Sequence, residues 1–208
     1  MARTPEQIHH PDMTVSIGGT WGHYVLDDCG YSGEAPGILP WVMPVGEGEY
    51  PPERWYCAAW HDLTGARNAN GYKHTGIDLN LDVSPWGDVE RMFGLSVYAI
   101  ADGVVTYSTI NWSGEPMVVI RHEHEGASLW VRYAHVLCYL EPGHHVTAGE
   151  DLGEFANWRT GDHLHFDMAL DEFTREWLDP NIRWKDPVPV LKAHHDPAIV
   201  DAMLRRGK

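Results

Sequence analysis

The chain has 208 residues, with 15 Lys and Arg against 30 Asp and Glu, for a formal net charge of −15. That balance argues against a nucleic-acid partner, which needs a cationic face, and gives no attraction to an anionic membrane surface. No apolar run approaches the roughly 18 residues that span a bilayer, and the length suits one domain with a substantial core.

The opening stretch "MARTPEQIHHPDMTVSIGG" has no apolar h-region, so no secretory signal peptide is expected. "CGYSGEAPGILPWVMPVGEGEYPPERW" is rich in Gly and Pro, which interrupt helices and strands. It also carries Ile38, Leu39, Trp41, Val42, Met43 and Trp55, too many apolar residues for a disordered linker. Residues 1–70 are therefore read as an irregular N-terminal extension packed on the main domain. The cysteines are Cys29, Cys57 and Cys138, with no C-x-x-C, which disfavours a thiolate zinc cluster. They are read as reduced, partly buried thiols, with a Cys29–Cys57 bridge as the alternative.

From about residue 94 the apolar period becomes two. "LSVYAIADGVVTYS" predicts two short strands around Asp102–Gly103, a dipeptide favoured in tight hairpin turns. "PMVVIRHEHEGASLWVRYAHV" predicts a strand, a polar turn at Glu123–Ser128 and a second strand. "HHVTAGEDLGEFA" predicts a short strand, a turn at Gly149 and another strand, and "DHLHFDMAL" one more. Short β-runs with Gly turns and no long helical period define a mainly β, antiparallel fold. "HDPAIVDAMLRRGK" predicts one short C-terminal helix, with Asp196 as cap, Pro197 at its first position, and Ile199, Met203 and Leu204 as a packing face.

The 14 histidines raise the prior for metal binding. In "GDHLHFDM", His163 and His165 lie two apart on a strand and so share a face, with Leu164 and Phe166 on the other. His122 and His124 have the same spacing, but their charged flanks predict a solvated turn. His144–His145 and His194–His195 get the same reading. "YKHTGIDLN" sets His74 and Asp78 four apart, with Gly76 allowing a tight path. One imidazole nitrogen and one carboxylate oxygen suit zinc, and His165 completes a three-ligand set that leaves the fourth tetrahedral position open. His135, in "VRYAHV", ends a strand on the side of Leu129, Val131 and Tyr133, the position of a packed histidine when read alone.

Together, His74-x-x-x-Asp78, "YAH" at 133–135 and "HLHF" at 163–166, with the strands between, resemble the M23 family of zinc metallopeptidases, of the lysostaphin and LytM type. The resemblance covers about residues 71–170. It implies a β-domain with an open groove and hydrolysis of peptide bonds in peptidoglycan cross-bridges or stem peptides. It also implies one zinc ion held by His74, Asp78 and His165. His163 would act as general base and His135 would face the same centre, the two sharing or dividing the proton transfer.

The domains expected are the extension at 1–70, the peptidase domain at 71–176 and a tail with a short helix at 177–208. "LNLDVSPWGDVERMFG" is longer than the usual link and predicts a loop near the cleft. Asp162 stands where proline or a small residue is common and is read as a solvated turn acid. Asp167 stands where glutamate is common. Trp112, Trp130 and Trp158 are candidates to line a groove, although core burial accounts for them equally. His9, His10, Asp12, His23, His61, Asn68 and Asn70 are candidates for blocking the open metal position, the minor reading. With no signal peptide, a phage-encoded lysin or virion-associated enzyme is the expected setting. A non-catalytic module that binds wall peptides or activates another wall hydrolase is the alternative, and retention of all five site residues favours the enzyme.

Overall fold

The computed structural model describes residues 14–17, 20–23, 41–46, 54–81, 94–110, 115–124, 126–156 and 163–205. The readings of Cys29, His9, His10, Asp12, Trp112, Trp158, Asp162 and the loop beyond Leu81 lie outside them. In chain order the strands are β1 (Thr14–Ile17), β2 (Thr20–His23), β3 (Trp55–Ala59), β4 (Gly76–Leu81), β5 (Ser96–Tyr98), β6 (Gly103–Thr109), β7 (Met117–His124), β8 (Ala127–Ala134), β9 (Val136–Leu137), β10 (His145–Val146), β11 (Asp151–Phe155), β12 (Leu164–Ala169) and β13 (Trp184–Lys185). Two helices follow, α1 (Pro187–His194) and α2 (Pro197–Arg205). Among the described residues no helix is long and apolar enough to cross a membrane.

All pairings are antiparallel. The main sheet runs β10-β6-β7-β8-β12-β4-β3, with β13 paired to the C-terminal end of β12; β5-β11-β9 form a second sheet and β1-β2 a third. Alternation decides which residues enter the core. In β4, Ile77, Leu79 and Leu81 are buried on one face while Asp78 and Asn80 take the other. The core joins these to Tyr133, Leu164 and Phe166 of the main sheet and to Val97, Leu152 and Phe155 of the small one. Burying each such large side chain contributes about 1.5–3 kcal/mol. Gly76 is required by proximity, because an added Cβ would lie 2.2 Å from the Phe166 carbonyl oxygen.

The stretch read as an irregular extension supplies β3, which pairs with β4, and the buried Trp41, Met43 and Val45. Cys57 and Cys138 are buried free thiols, so Cys57 forms no bridge; burial pushes them up to about 12 and about 11.

Several expectations are corrected. The strands flanking Asp102–Gly103 do not pair as a hairpin: β5 joins β11 in the small sheet, while β6 joins β7 and β10 in the main one. The Asp102 carboxylate accepts from Ala148 N–H at 2.8 Å, and the chain crosses between sheets there. The C-terminal region holds two helices rather than one. In α1, Pro187 and Pro189 occupy the first turn, where a missing N–H costs nothing, and the Asp186 side chain caps Val188 N–H. Asp196 caps the second helix as expected, accepting from Ala198 N–H at 2.8 Å, and Val200 and Met203 are buried. His144 and His145 are exposed as expected, but His194 stacks on Trp41 at 4.3 Å, and His195 is half-buried, its pKa pushed down to about 4 by burial.

His122 is likewise buried, not in a solvated turn. The β7–β8 ladder continues to His124–Ala127, which places His122 opposite Leu129 inside the sheet. Its Nδ1–H donates to the Asp102 carbonyl at 2.9 Å, and burial pushes its pKa down to about 4. The unfolded value is near 6.5, so the native state disfavours this proton and stability falls as pH drops from about 6.5 toward 4, by on the order of 3 kcal/mol. The denaturant midpoint is expected to decline over that window. His122→Asn, whose amide keeps the donor to Asp102, should flatten part of the decline; an identical slope in the variant would refute this.

Candidate active site

The site is assembled on three adjacent strands of the main sheet. β12 lies between β4 and β8, with His165 directly opposite Asp78 on one side and Ala134 on the other. Such neighbours have Cβ atoms about 4.5–5.5 Å apart. The His165 Nδ1 lies 3.0 Å from Asp78 Oδ1. His74 precedes β4, fixed by a bridge to Asp62, and its Nε2 lies 3.1 Å from Asp78 Oδ1 and 2.9 Å from His165 Nδ1.

The remaining nitrogens assign the tautomers. His74 Nδ1–H donates to the Trp60 carbonyl at 3.1 Å, and His165 Nε2–H to Asp167 Oδ2 at 3.0 Å. Two bare imidazole nitrogens and a carboxylate oxygen therefore aim lone pairs at one point, an arrangement that repels itself unless a cation sits among them. Ligands of tetrahedral zinc stand about 3.3 Å apart, close to this spacing. Burial alone would raise the Asp78 pKa, but the His165 and His74 imidazoles outweigh it and hold the carboxyl far below its usual range. His165 shows the converse: burial opposes its proton, yet Asp167 and Asp78 raise its pKa. An environment that favours a proton there also favours a metal cation. Among the described residues no fourth His, Cys or acidic side chain joins the three donors.

His163 and His135 stand beside this cluster. His163 Nε2 is 3.6 Å from Asp78 Oδ1, and the His163 ring meets that of His135 at 4.4 Å between centroids. Burial, with His163 and His165 nearby, pushes the His135 pKa down to about 3. Strand alternation would have sent His135 to the face of Tyr133, whose oxygen accepts from Ile100 N–H inside the core. His135 instead adopts φ 65° between β8 and β9, which turns it into the cleft and corrects its placement on the Leu129–Val131–Tyr133 side. All five residues singled out from the sequence line one open cleft of about 330 Å³, together with Glu115 and Trp177.

The sequence marked Asp167 only as standing where glutamate is common and gave no sign of the buried pair that supports the site. Asp167 is fully buried and paired with Arg132 Nε and Nη2; Thr75 Oγ1 donates to it at 2.6 Å. Burial would raise Asp167, but Arg132 and His165 hold it well below the usual carboxylate range. The Arg132 guanidinium carries Trp177 at 3.6 Å and donates to the Glu176 carbonyl at 2.8 Å. Strand alternation could have flagged Asp167, two residues beyond His165 on the same face, but nothing local pointed to Arg132 or Trp177. Trp130 packs in a satellite cluster with Phe173 and Trp184 rather than lining the cleft. Of the candidate blocking residues, His61 Nδ1 contacts the Thr75 carbonyl at 2.6 Å, Asn68 bonds the Trp60 backbone, and neither lines the cleft; nor does Asn70.

The Arg132–Asp167 pair is fully buried, so removing one partner strands the other charge. Arg132→Ala is expected to destabilise the fold by about 3–5 kcal/mol, read as a drop in the urea midpoint. A loss below 1 kcal/mol would show that water or a neighbour replaces the guanidinium.

Fold and donor set define an antiparallel β-domain with a three-donor centre suited to a divalent cation. The model of peptidase family M23 matches residues 72–180, just over half of the sequence, and the chain belongs to that family. The solution structure of lysostaphin superposes with a TM-score of 0.52 at 22% identity, covering 69% of this chain and 53% of that one. The likeness shows the fold, and the chain spans about half of that protein's length. Also similar are LytU (TM-score 0.49, 23% identity, 72% of this chain and 91% of that one) and a mutant catalytic domain of the prophage-encoded M23 protein EnpA from Enterococcus faecalis (0.45, 21%, 70% and 94%). No sequence among the curated proteins matches this chain.

Proposed function

We propose that the protein is a zinc-dependent endopeptidase that hydrolyses peptide bonds of bacterial peptidoglycan cross-bridges or stem peptides. The observation that carries it is the convergence of His74 Nε2, Asp78 Oδ1 and His165 Nδ1, with the His163 and His135 rings together on the cleft side. On this reading residues 71–176 form the peptidase domain, and the protein acts at the cell wall in the manner of a phage lysin or virion-associated hydrolase.

Zinc, when bound, supplies Lewis acidity that activates water and polarises a carbonyl. The chain's own residues do the rest. His74, Asp78 and His165 hold the ion, and Trp60 and Asp167 fix the two imidazoles in the tautomers that offer a lone pair. His163 accepts the proton of the attacking water and returns it to the leaving amine. His135, turned into the cleft by its left-handed backbone, donates its N–H to the oxyanion that develops on the carbonyl.

The test is to incubate purified sacculi of several cross-bridge chemistries with zinc-loaded protein, with and without chelator, and to identify new termini by mass spectrometry. New amine termini that vanish with chelator are expected. Zinc-loaded protein that releases none from any wall type would sink the proposal.

A further inference from the structure

Two cleft-lining residues, Glu115 and Trp177, play no part in holding a cation or moving a proton. Glu115 is the more informative. It is half-buried, and its backbone takes φ 59°. A non-glycine residue in that region costs about 1–2 kcal/mol and persists only where the surroundings enforce it. Those surroundings are visible: the next residue is Pro116, whose carbonyl accepts from His135 N–H at 2.8 Å and from Val136 N–H at 3.2 Å.

Four non-glycine residues among those described have positive φ: Asn70, Glu115, His135 and Leu178. Glu115 and His135 are joined through the Pro116 carbonyl and both line the cleft, while Leu178 follows the cleft-lining Trp177. Backbone strain is thus concentrated around this site, in two segments that the Pro116 carbonyl ties together.

The charge balance of the cleft then matters. Among the described residues its lining holds two carboxylates, Asp78 and Glu115, and no Lys or Arg. Asp78 is committed to the two imidazoles. Among the described residues no basic side chain forms an ion pair with Glu115. A carboxylate held in a partly desolvated cleft, with no cation of its own, is complementary to a cation on the ligand.

We infer that Glu115 is a specificity-determining residue that recognises an ammonium group on the substrate close to the scissile bond. The inference rests on the reading of this cleft as a peptide site. Two chemical sources present such a group: the free α-amine of a short peptide branch, and the side-chain amine of a diamino acid. Both place a compact N–H donor within reach of a carboxylate, whereas an acetylated amine offers a neutral amide.

The experiment compares four otherwise identical synthetic wall peptides carrying a free α-amine, a free side-chain amine, both, or neither, with acetyl groups on the rest. Binding is measured by calorimetry on the zinc-loaded His163→Ala protein, with and without Glu115→Gln or Glu115→Lys, at two salt concentrations. Cleavage by the parent protein is followed in parallel. One of the two amines is expected to strengthen binding about tenfold, as a charged hydrogen bond does, with weaker preference at high salt. E115Q should abolish the preference and E115K should reverse it; which amine matters identifies the source. Equal affinities for all four peptides, or a preference that survives in E115Q, would overturn the inference. The two readings fail separately. A protein that cleaves nothing but shows the preference loses the peptidase proposal and keeps Glu115 as the residue that recognises an ammonium group on a bound peptide. A protein that cleaves and binds all four peptides alike loses this one only.

Discussion

His165→Ala is expected to abolish zinc retention and peptidase activity together while leaving the fold intact. His165 touches every other part of the centre: His74 and Asp78 through Nδ1, Asp167 through Nε2, and the Trp177 ring at 4.7 Å. Its loss leaves one imidazole and one carboxylate, too few protein donors for the three that an open zinc site uses. The fold should survive because Asp167 keeps Arg132 and Thr75 as partners, so no buried charge is stranded. Zinc content by mass spectrometry is expected to fall from about one ion per chain to near zero, with a circular-dichroism spectrum matching that of the parent protein stripped by chelator. Asp78→Asn offers a second route to the same result. Parental zinc content in a folded His165→Ala protein would remove the basis of the proposed centre.

His163→Ala is expected to keep its zinc and still lose turnover by about 10²-fold or more, the usual size of a general-base contribution. The geometry separates the two histidines of one motif. His165 lies within β12, where pairing with β4 brings it against Asp78 at 3.0 Å. His163 lies just before the strand, 3.6 Å from the same oxygen, and packs on His135 instead. The measurement is kcat and KM on a defined wall peptide, alongside metal content. The expected loss falls on kcat, because the interaction is made in the transition state. His135→Ala provides the comparison: if the two imidazoles act as a unit, the double variant should be little slower than the worse single one. A His163→Ala protein that turns over at the parental rate would reassign the proton transfer.

Much of the strand layout was readable in the sequence because a half-buried strand writes its orientation into period-two apolar residues. β11 and β12 appear where that period predicts them, and so do β7 and β8, except that their ladder runs on through the turn expected at Glu123–Ser128. Which strands pair is a different matter. Asp102–Gly103 has the composition of a hairpin turn, yet its flanking strands enter different sheets because their buried faces pack against different partners. His122 failed for a related reason: charged neighbours suggested a turn, and only the length of the β7–β8 ladder placed the imidazole inside the sheet. The first helix was hidden by two prolines that act as breakers in an interior and fit comfortably in a first turn.

For the candidate site, residue types and local spacings pointed to His74, Asp78 and His165 as metal donors, because metal chemistry demands particular side chains, whereas the roles of His163 and of His135, which reads alone as a packed histidine, came only with the resemblance to the family. Their meeting in one cleft was decided by tertiary structure, through the order β4-β12-β8 and a register that sets Asp78 opposite His165. The same holds for the left-handed turn at His135, the buried Arg132–Asp167 pair and the approach of Glu115 and Trp177. Each depends on contacts between segments far apart in the chain, and a linear pattern records side-chain preferences but not which distant backbone will lie alongside.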